Sequence, residues 1–178
     1  MTLVLESGSG LDPLANSYAD MDEALAYASD LPSVMSAAWL SLGTAELQAS
    51  MLVFATRVLD QRARWNGTKS VAASPLRWPR MNVFDCDDLP VAIDVIPPGL
   101  KAAVIEAALF YASPDRAPGV IAENDGLKRL KIDTLEFEWK DGYDPNVALR
   151  FPTGLNQLLC GLGRIGTGRT NFVPIRKV

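Results

Sequence analysis

At 178 residues the chain is long enough for one domain with a sizeable core and too short for two. Apolar residues make up 48% and charged residues 21%, which excludes a disordered chain, and no apolar run approaches the roughly 18 residues that span a bilayer. Histidine is absent, so Ser-His-Asp and Cys-His catalysis, imidazole zinc sites and the usual near-neutral general base are excluded; the chain is expected to be no enzyme, with no catalytic residue, metal or cofactor.

The start, Met1-Thr2-Leu3-Val4-Leu5-Glu6, lacks the basic residues and apolar stretch of a signal peptide, so the protein is expected to stay where it is made. Leu3-Val4-Leu5 precedes Gly8, Gly10 and Pro13 and is at most one strand. Asp20 and Glu23 form a capping-box pair and predict a helix over 20–30, with Met21, Leu25 and Ala28 on one side, stopped by Pro32. Thr44 caps a second and longest helix over 45–63, where Leu47, Met51, Phe54, Val58, Ala55 and Leu59 recur at helical spacing and read as core.

The stretch 65–98 contains Gly67, Pro75, Pro79, Pro90, Pro97 and Pro98 without sustained periodicity. It reads as an ordered loop, because Trp65, Trp78, Val83 and Phe84 give it something to bury. Pro97 or Pro98 suits the first turn of a third helix over 98–112, with Leu100, Val104, Ala107 or Ala108 and Tyr111 inward and Pro114 and Pro118 ending it. Residues 127–140 alternate, but Leu130 and Ile132 share one parity while Leu135, Phe137 and Trp139 share the other. The slip at Asp133-Thr134 marks a β-bulge or a phase break between paired strands, with a turn at Lys140-Asp141-Gly142. A short helix over 153–162 carries Leu155, Leu158, Leu159 and Leu162. The expected fold is mainly α: a small helical domain of about four helices over 1–162, a short β-hairpin-like element, and an extended C-terminal arm over 163–178.

The net charge of −4 is unevenly spread. Residues 1–60 carry eight acids against one base, whereas Arg57, Arg62, Arg64, Lys69, Arg77 and Arg80 face only Asp60 within 57–80. Residues 164–178 add Arg164, Arg169, Arg176 and Lys177 with no acid. Such division suits self-association or docking to a charged partner. Arg62, Arg64, Trp65 and Lys69, followed by Arg77-Trp78-Pro79-Arg80, mix base and aromatic as single-stranded nucleic-acid platforms do. The bland alternative buries both tryptophans and pairs the arginines with the acidic first sixty residues, and it is the favoured expectation.

Other motifs lack context. Gly161-Leu162-Gly163-Arg164-Ile165-Gly166 fits GxGxxG, but a leucine-rich helix precedes it instead of a strand. Gly163 to Thr170 imitates a phosphate-binding loop with Arg169 where lysine belongs, and no helix or acidic strand is expected after it. Asp85, Asp87, Asp88 and Asp94 lack calcium-loop spacing and read as a solvated loop. Asn66-Gly67-Thr68 reads as a turn. Cys86 and Cys160 have no CxxC partner; a disulfide between them is one reading, and two small apolar thiols are the favoured expectation.

Several pieces, in order, resemble the tailed-bacteriophage head–tail connector (adaptor) family, whose members are often labelled DnaT-like single-stranded-DNA-binding proteins. They are Ala15-Asn16-Ser17-Tyr18, Asp22-Glu23-Ala24 with Tyr27, Leu59-Asp60 before Arg64-Trp65-Asn66-Gly67, Leu76-Arg77-Trp78-Pro79-Arg80, and Ile96-Pro97-Pro98-Gly99-Leu100-Lys101 with Ala103 and Glu106-Ala107-Ala108-Leu109. A basic β segment and a late Phe151-Pro152 before the leucine helix complete the pattern. The resemblance implies a virion subunit made in the host bacterial cytoplasm, forming a homo-oligomeric ring, commonly twelve-fold, below the portal. Its implied partners are the portal protein, a downstream neck or tail-completion protein, and DNA passing through the channel without sequence-specific binding; no membrane is involved. The arm from Arg164, with Arg169, Phe172, Val173, Pro174, Ile175, Arg176 and Lys177, would grip the portal or a neighbouring subunit. Arg57, Arg62, Arg64, Lys69, Arg77 and Arg80 would face DNA or another subunit. The alternative is a single-stranded-DNA-binding replication accessory.

Overall fold

Side chains set two of the helix starts. The Asp20 carboxylate accepts from the Glu23 N–H at 2.8 Å while the Glu23 carboxylate accepts from the Asp20 N–H at 3.1 Å, and α1 runs Met21–Asp30 behind this reciprocal cap. Thr44 accepts from the Leu47 N–H at 3.3 Å and opens α3, Ala45–Arg62. Between them lies α2, Ser33–Leu40, which the periodicity does not announce. It is eight residues of SVMSAAWL, without a charge or a side-chain cap, and Pro32 stands at its N-cap. Pro97 likewise caps α4, Pro98–Ala112, with Pro98 in the first turn as expected, and α5 is the short Leu155–Leu158.

The computed structural model describes residues 2–113, 129–132, 135–138, 151, 152 and 154–166. Among them the chain is mainly helical, with five helices and small antiparallel strand pairs. Strand β1, Ala63–Trp65, pairs with β6, Gly163–Ile165; β2, Thr68–Lys69, pairs with β3, Arg80–Met81. Strand β4, Arg129–Ile132, pairs with β5, Leu135–Glu138, setting Leu130 opposite Phe137 and Ile132 opposite Leu135. The parity slip at Asp133-Thr134 is therefore the point between two paired strands, and no bulge is needed. The expected turn at Lys140-Asp141-Gly142, Trp139, and the helix-ending Pro114 and Pro118 lie outside the described residues.

Helix α4 is the centre of the core. It packs against α1, α2, α3 and α5, and its Leu100, Ala103, Val104, Ala107, Ala108 and Tyr111 are buried on several sides. A helix apolar nearly all round is a buried one. Tyr111 collects three edge-to-face rings: Phe54 at 5.4 Å, Phe110 at 5.3 Å and Phe151 at 6.0 Å. Polar ties join α1 to α4: Lys101 pairs with Glu23, and the Tyr27 hydroxyl donates to Glu106 at 2.9 Å. Burial and the Glu106 carboxylate push the Tyr27 hydroxyl up to about 12.

Three expected core residues face solvent. Leu25, Leu47 and Phe84 are exposed, while Ala24 and Ala28 in α1 and Leu52, Val53, Ala55, Thr56 and Leu59 in α3 are buried. In α3 the expected Ala55, Val58 and Leu59 are buried and Met51 and Phe54 pack against the core, so the expected stripe fails only at Leu47. The cysteines also differ from expectation: Cys86 and Cys160 form a disulfide across 74 residues, with Cα atoms 5.5 Å apart. Gly161 explains the approach. Its φ is +72°, and a Cβ there would lie 2.5 Å from the Phe84 carbonyl oxygen, so only glycine lets the α5 turn settle on the Phe84–Asp85 backbone and bring Cys160 to Cys86.

Candidate nucleic-acid interface

Tyr18, buried at the start of the domain, anchors the Arg77-Trp78 segment. Its hydroxyl donates to both Asp60 oxygens, at 2.9 and 3.0 Å, and accepts from the Arg77 and Trp78 N–H groups, each at 3.0 Å. The Arg77 N–H also reaches Asp60 Oδ2 at 3.0 Å. Burial pushes the Asp60 carboxyl up to about 6, against the opposing pull of the Arg77 N–H, the Tyr18 hydroxyl and the Arg77 and Lys69 charges. Burial, then the Asp60 charge, raises the Tyr18 hydroxyl well above its ordinary value. Tyr18, Asp60, Arg77 and Trp78 are separated by up to 60 residues, and nothing in their local sequence announces the cluster.

Trp78 is fully buried and Trp65 half-buried, in edge-to-face contact at 6.1 Å. So much of the bland expectation holds. Its other half does not: among the described residues the ion pair within 4 Å is Lys101 with Glu23, and no arginine makes such a pair with an acid of the first sixty residues, although the Arg77 charge acts on Asp60 at longer range. Arg57, Arg62, Arg64 and Arg77 are exposed. Two of the six basic side chains are structural instead. The Arg80 guanidinium donates to the Asn66, Gly67 and Arg77 carbonyls at 2.6, 2.7 and 3.1 Å, and Lys69 donates to the Ser74 carbonyl.

The β1–β6 pairing adds a base from far away in sequence. Arg164 sits directly opposite Arg64, and both are exposed. Directly opposed side chains in an antiparallel pair have Cβ atoms about 5 Å apart, and like charges there are destabilising. Gly163 makes the pairing tight, since a Cβ on it would lie 2.8 Å from the Arg64 carbonyl oxygen. Thus Gly161 and Gly163 of the GxGxxG run serve close backbone packing, while a Cβ on Gly166 would meet open space. Gly163–Ile165, expected to begin a free arm, is a strand, with Ile165 buried. Arg169, Phe172, Val173, Pro174, Ile175, Arg176 and Lys177 lie outside the described residues.

Beside the anchor a cleft of about 270 Å³ opens between α3, the Ala15–Asn16 segment and the Pro75–Arg77 loop. Ala15, Val53 and Leu76 give it an apolar floor; Arg57, Gln61 and Arg77 border it, and Asp60 stands in its wall. Arg57 and Gln61, four residues apart, share one face of α3. The Asp85 carboxylate accepts from the Asp87 and Leu89 N–H groups, both at 2.9 Å, so part of the acidic loop caps its own turn. Among the described residues no group of three or more acids or cysteines is placed to hold a metal, and no helix is long and apolar enough to cross a membrane.

Together these features define a small, mainly helical domain in which Arg57 and Arg77 border a cleft beside a tyrosine–aspartate anchor. The chain belongs to the family described as "Putative DnaT-like ssDNA binding protein", whose model matches residues 1–176. No curated protein matches the chain, and no solved structure does.

Proposed function

We propose that the protein contacts single-stranded DNA through Arg57, Arg62, Arg64, Arg77 and Arg164. The observation that carries this reading is the Arg64–Arg164 pair: two exposed guanidinium groups opposed across β1 and β6, with no acid within 4 Å among the described residues. A phosphate between them relieves the repulsion and uses the planar donor fork of each. Family membership supports the same partner. The net charge of −4 keeps the contact local and weak.

The test is fluorescence anisotropy with a labelled oligothymidylate between low and moderate salt. Five phosphate contacts on a single strand predict a log–log salt slope of roughly −3.5, and Arg64→Gln with Arg164→Gln should lower it by about 1.4. Absence of binding at low salt, or binding unchanged in the double variant, overturns the reading.

A second reading is a head–tail connector subunit of a tailed phage, ringed below a portal and located in the virion neck. What favours it is the uncharged stretch Leu31–Ala45, which leaves the neighbouring Val34 85% and Met35 53% exposed on α2. An apolar face of this kind marks a protein contact. On this reading a neighbouring copy and the portal cover it, and DNA slides past the arginines. Val34→Glu with Met35→Lys should then abolish assembly with the portal, measured by light scattering, without altering the melting curve. Removing 167–178 tests the arm separately and leaves β6 intact. Normal assembly of both variants rejects the connector reading.

A further inference from the structure

The cleft beside the Tyr18–Asp60 anchor has a division of labour among its polar groups. Asp60, its one acid, is committed: its oxygens accept from Tyr18 and the Arg77 N–H. The side chains of Arg57, Gln61 and Arg77 make no hydrogen bond or ion pair among the described residues, although all three border the cleft. Arg77 is held in place through its backbone by two acceptors, so its side chain leaves a fixed point. Two guanidinium forks and one free amide therefore meet over a floor of Ala15, Val53 and Leu76.

We infer that this cleft takes one nucleotide of a DNA strand. The phosphate lies between Arg57 and Arg77, the base covers the apolar floor, and the Gln61 amide, both donor and acceptor, meets the base edge. A bare inorganic anion would satisfy the arginines and leave the floor facing water; a nucleotide uses both. The volume, about 270 Å³, is just below the lower end of the range for small-ligand sites, about 300 Å³, and suits a single base. The inference rests on the proposed single-strand contact and adds to it that one base is gripped as well as the backbone.

The full chain is titrated by anisotropy with a labelled oligothymidylate and with an abasic strand of equal length. The abasic strand should bind roughly tenfold or more weakly, within the range that one base contact contributes. Gln61→Ala, at an exposed position in α3 where alanine favours the helix, should narrow the gap between the two strands. Equal binding of both strands, still weakened by Arg64→Gln with Arg164→Gln, overturns the cleft and leaves the backbone contact standing. Failure of both strands to bind overturns the proposed function and the cleft with it. In a third arm free dTMP is titrated while the Gln61 side-chain amide is followed by NMR; affinity equal to that of the strand would overturn the assignment to a strand in favour of a free nucleotide.

Discussion

Replacing Tyr18 by phenylalanine removes one oxygen and leaves the buried ring in place. That oxygen donates to Asp60 and accepts from the Arg77 and Trp78 N–H groups. In Tyr18→Phe the Arg77 N–H keeps Asp60 Oδ2, but the Trp78 N–H loses its acceptor at a buried position. An orphaned buried donor costs about 1–3 kcal/mol, and losing a donor to a charged carboxylate costs a similar amount. The expected loss is about 3 kcal/mol. For a domain of this size each kcal/mol lowers Tm by about 2–4 °C, so Tm should fall by roughly 6–12 °C. Urea denaturation checks the free energy, and the slope m should be unchanged because the surface exposed on unfolding is the same. The hydroxyl also pulls the Asp60 carboxyl down, so Asp60 in the variant should titrate above its wild-type value of about 6. A loss below about 1 kcal/mol would refute the argument that this hydroxyl anchors the loop.

The raised Asp60 carboxyl also predicts a pH dependence. Its folded-state value, about 6, exceeds the ordinary 3.8, so between those values the folded state binds more protons than the unfolded one, and stability falls as pH rises. At about 1.4 kcal/mol per pH unit, and with the unfolded carboxyl already partly protonated at pH 4, wild type should gain about 2 kcal/mol relative to Asp60→Asn between pH 7 and pH 4. Urea midpoints of both proteins across that range check this, and an unchanging difference refutes it. The Cys86–Cys160 disulfide predicts no free thiol in unreduced protein, checked by thiol labelling under denaturing conditions. Cys86→Ser should cost up to about 4 kcal/mol from loop closure over the 74-residue separation.

Where the sequence carried local chemistry, it announced the fold: the Asp20–Glu23 box, the Thr44 cap and the prolines before α4 each fix a helix start with neighbouring atoms. Helix α2 escaped because it has neither a cap side chain nor a polar face. It exists because Trp39 and Ser36 are buried, and that is a tertiary cause. The α3 stripe was legible except at its first residue, since Leu47 is apolar whether or not another helix reaches it. The anchor, the disulfide and the Arg64–Arg164 pair depend on contacts across 42 to 100 residues, which no local pattern encodes. The resemblance did mark the neighbourhood of the anchor, since Tyr18, Asp60 and Arg77-Trp78 all lie in its matching stretches.

The same geometry bears on how strongly DNA could be held. Eight acids in residues 1–60 would be expected to neutralise nearby arginines, yet Asp60 spends its oxygens on a hydroxyl and an amide, and Glu23 spends its own on Lys101 and the α1 cap. Arg57, Arg62, Arg64, Arg77 and Arg164 therefore keep their donors, while Arg80 gives its own to backbone carbonyls and the acids keep the overall charge negative. Short-range attraction and long-range repulsion then act on the same strand. Salt screens the repulsion beyond about 10 Å at 0.1 M and also weakens the phosphate contacts. For a strand gripped at five arginines and one base, the loss of phosphate contacts dominates and affinity falls steadily with salt. For DNA that only slides past, few contacts form and the screening of repulsion dominates, so salt changes affinity little or raises it slightly. The sign and steepness of one salt titration thus separate a binding protein from a channel wall.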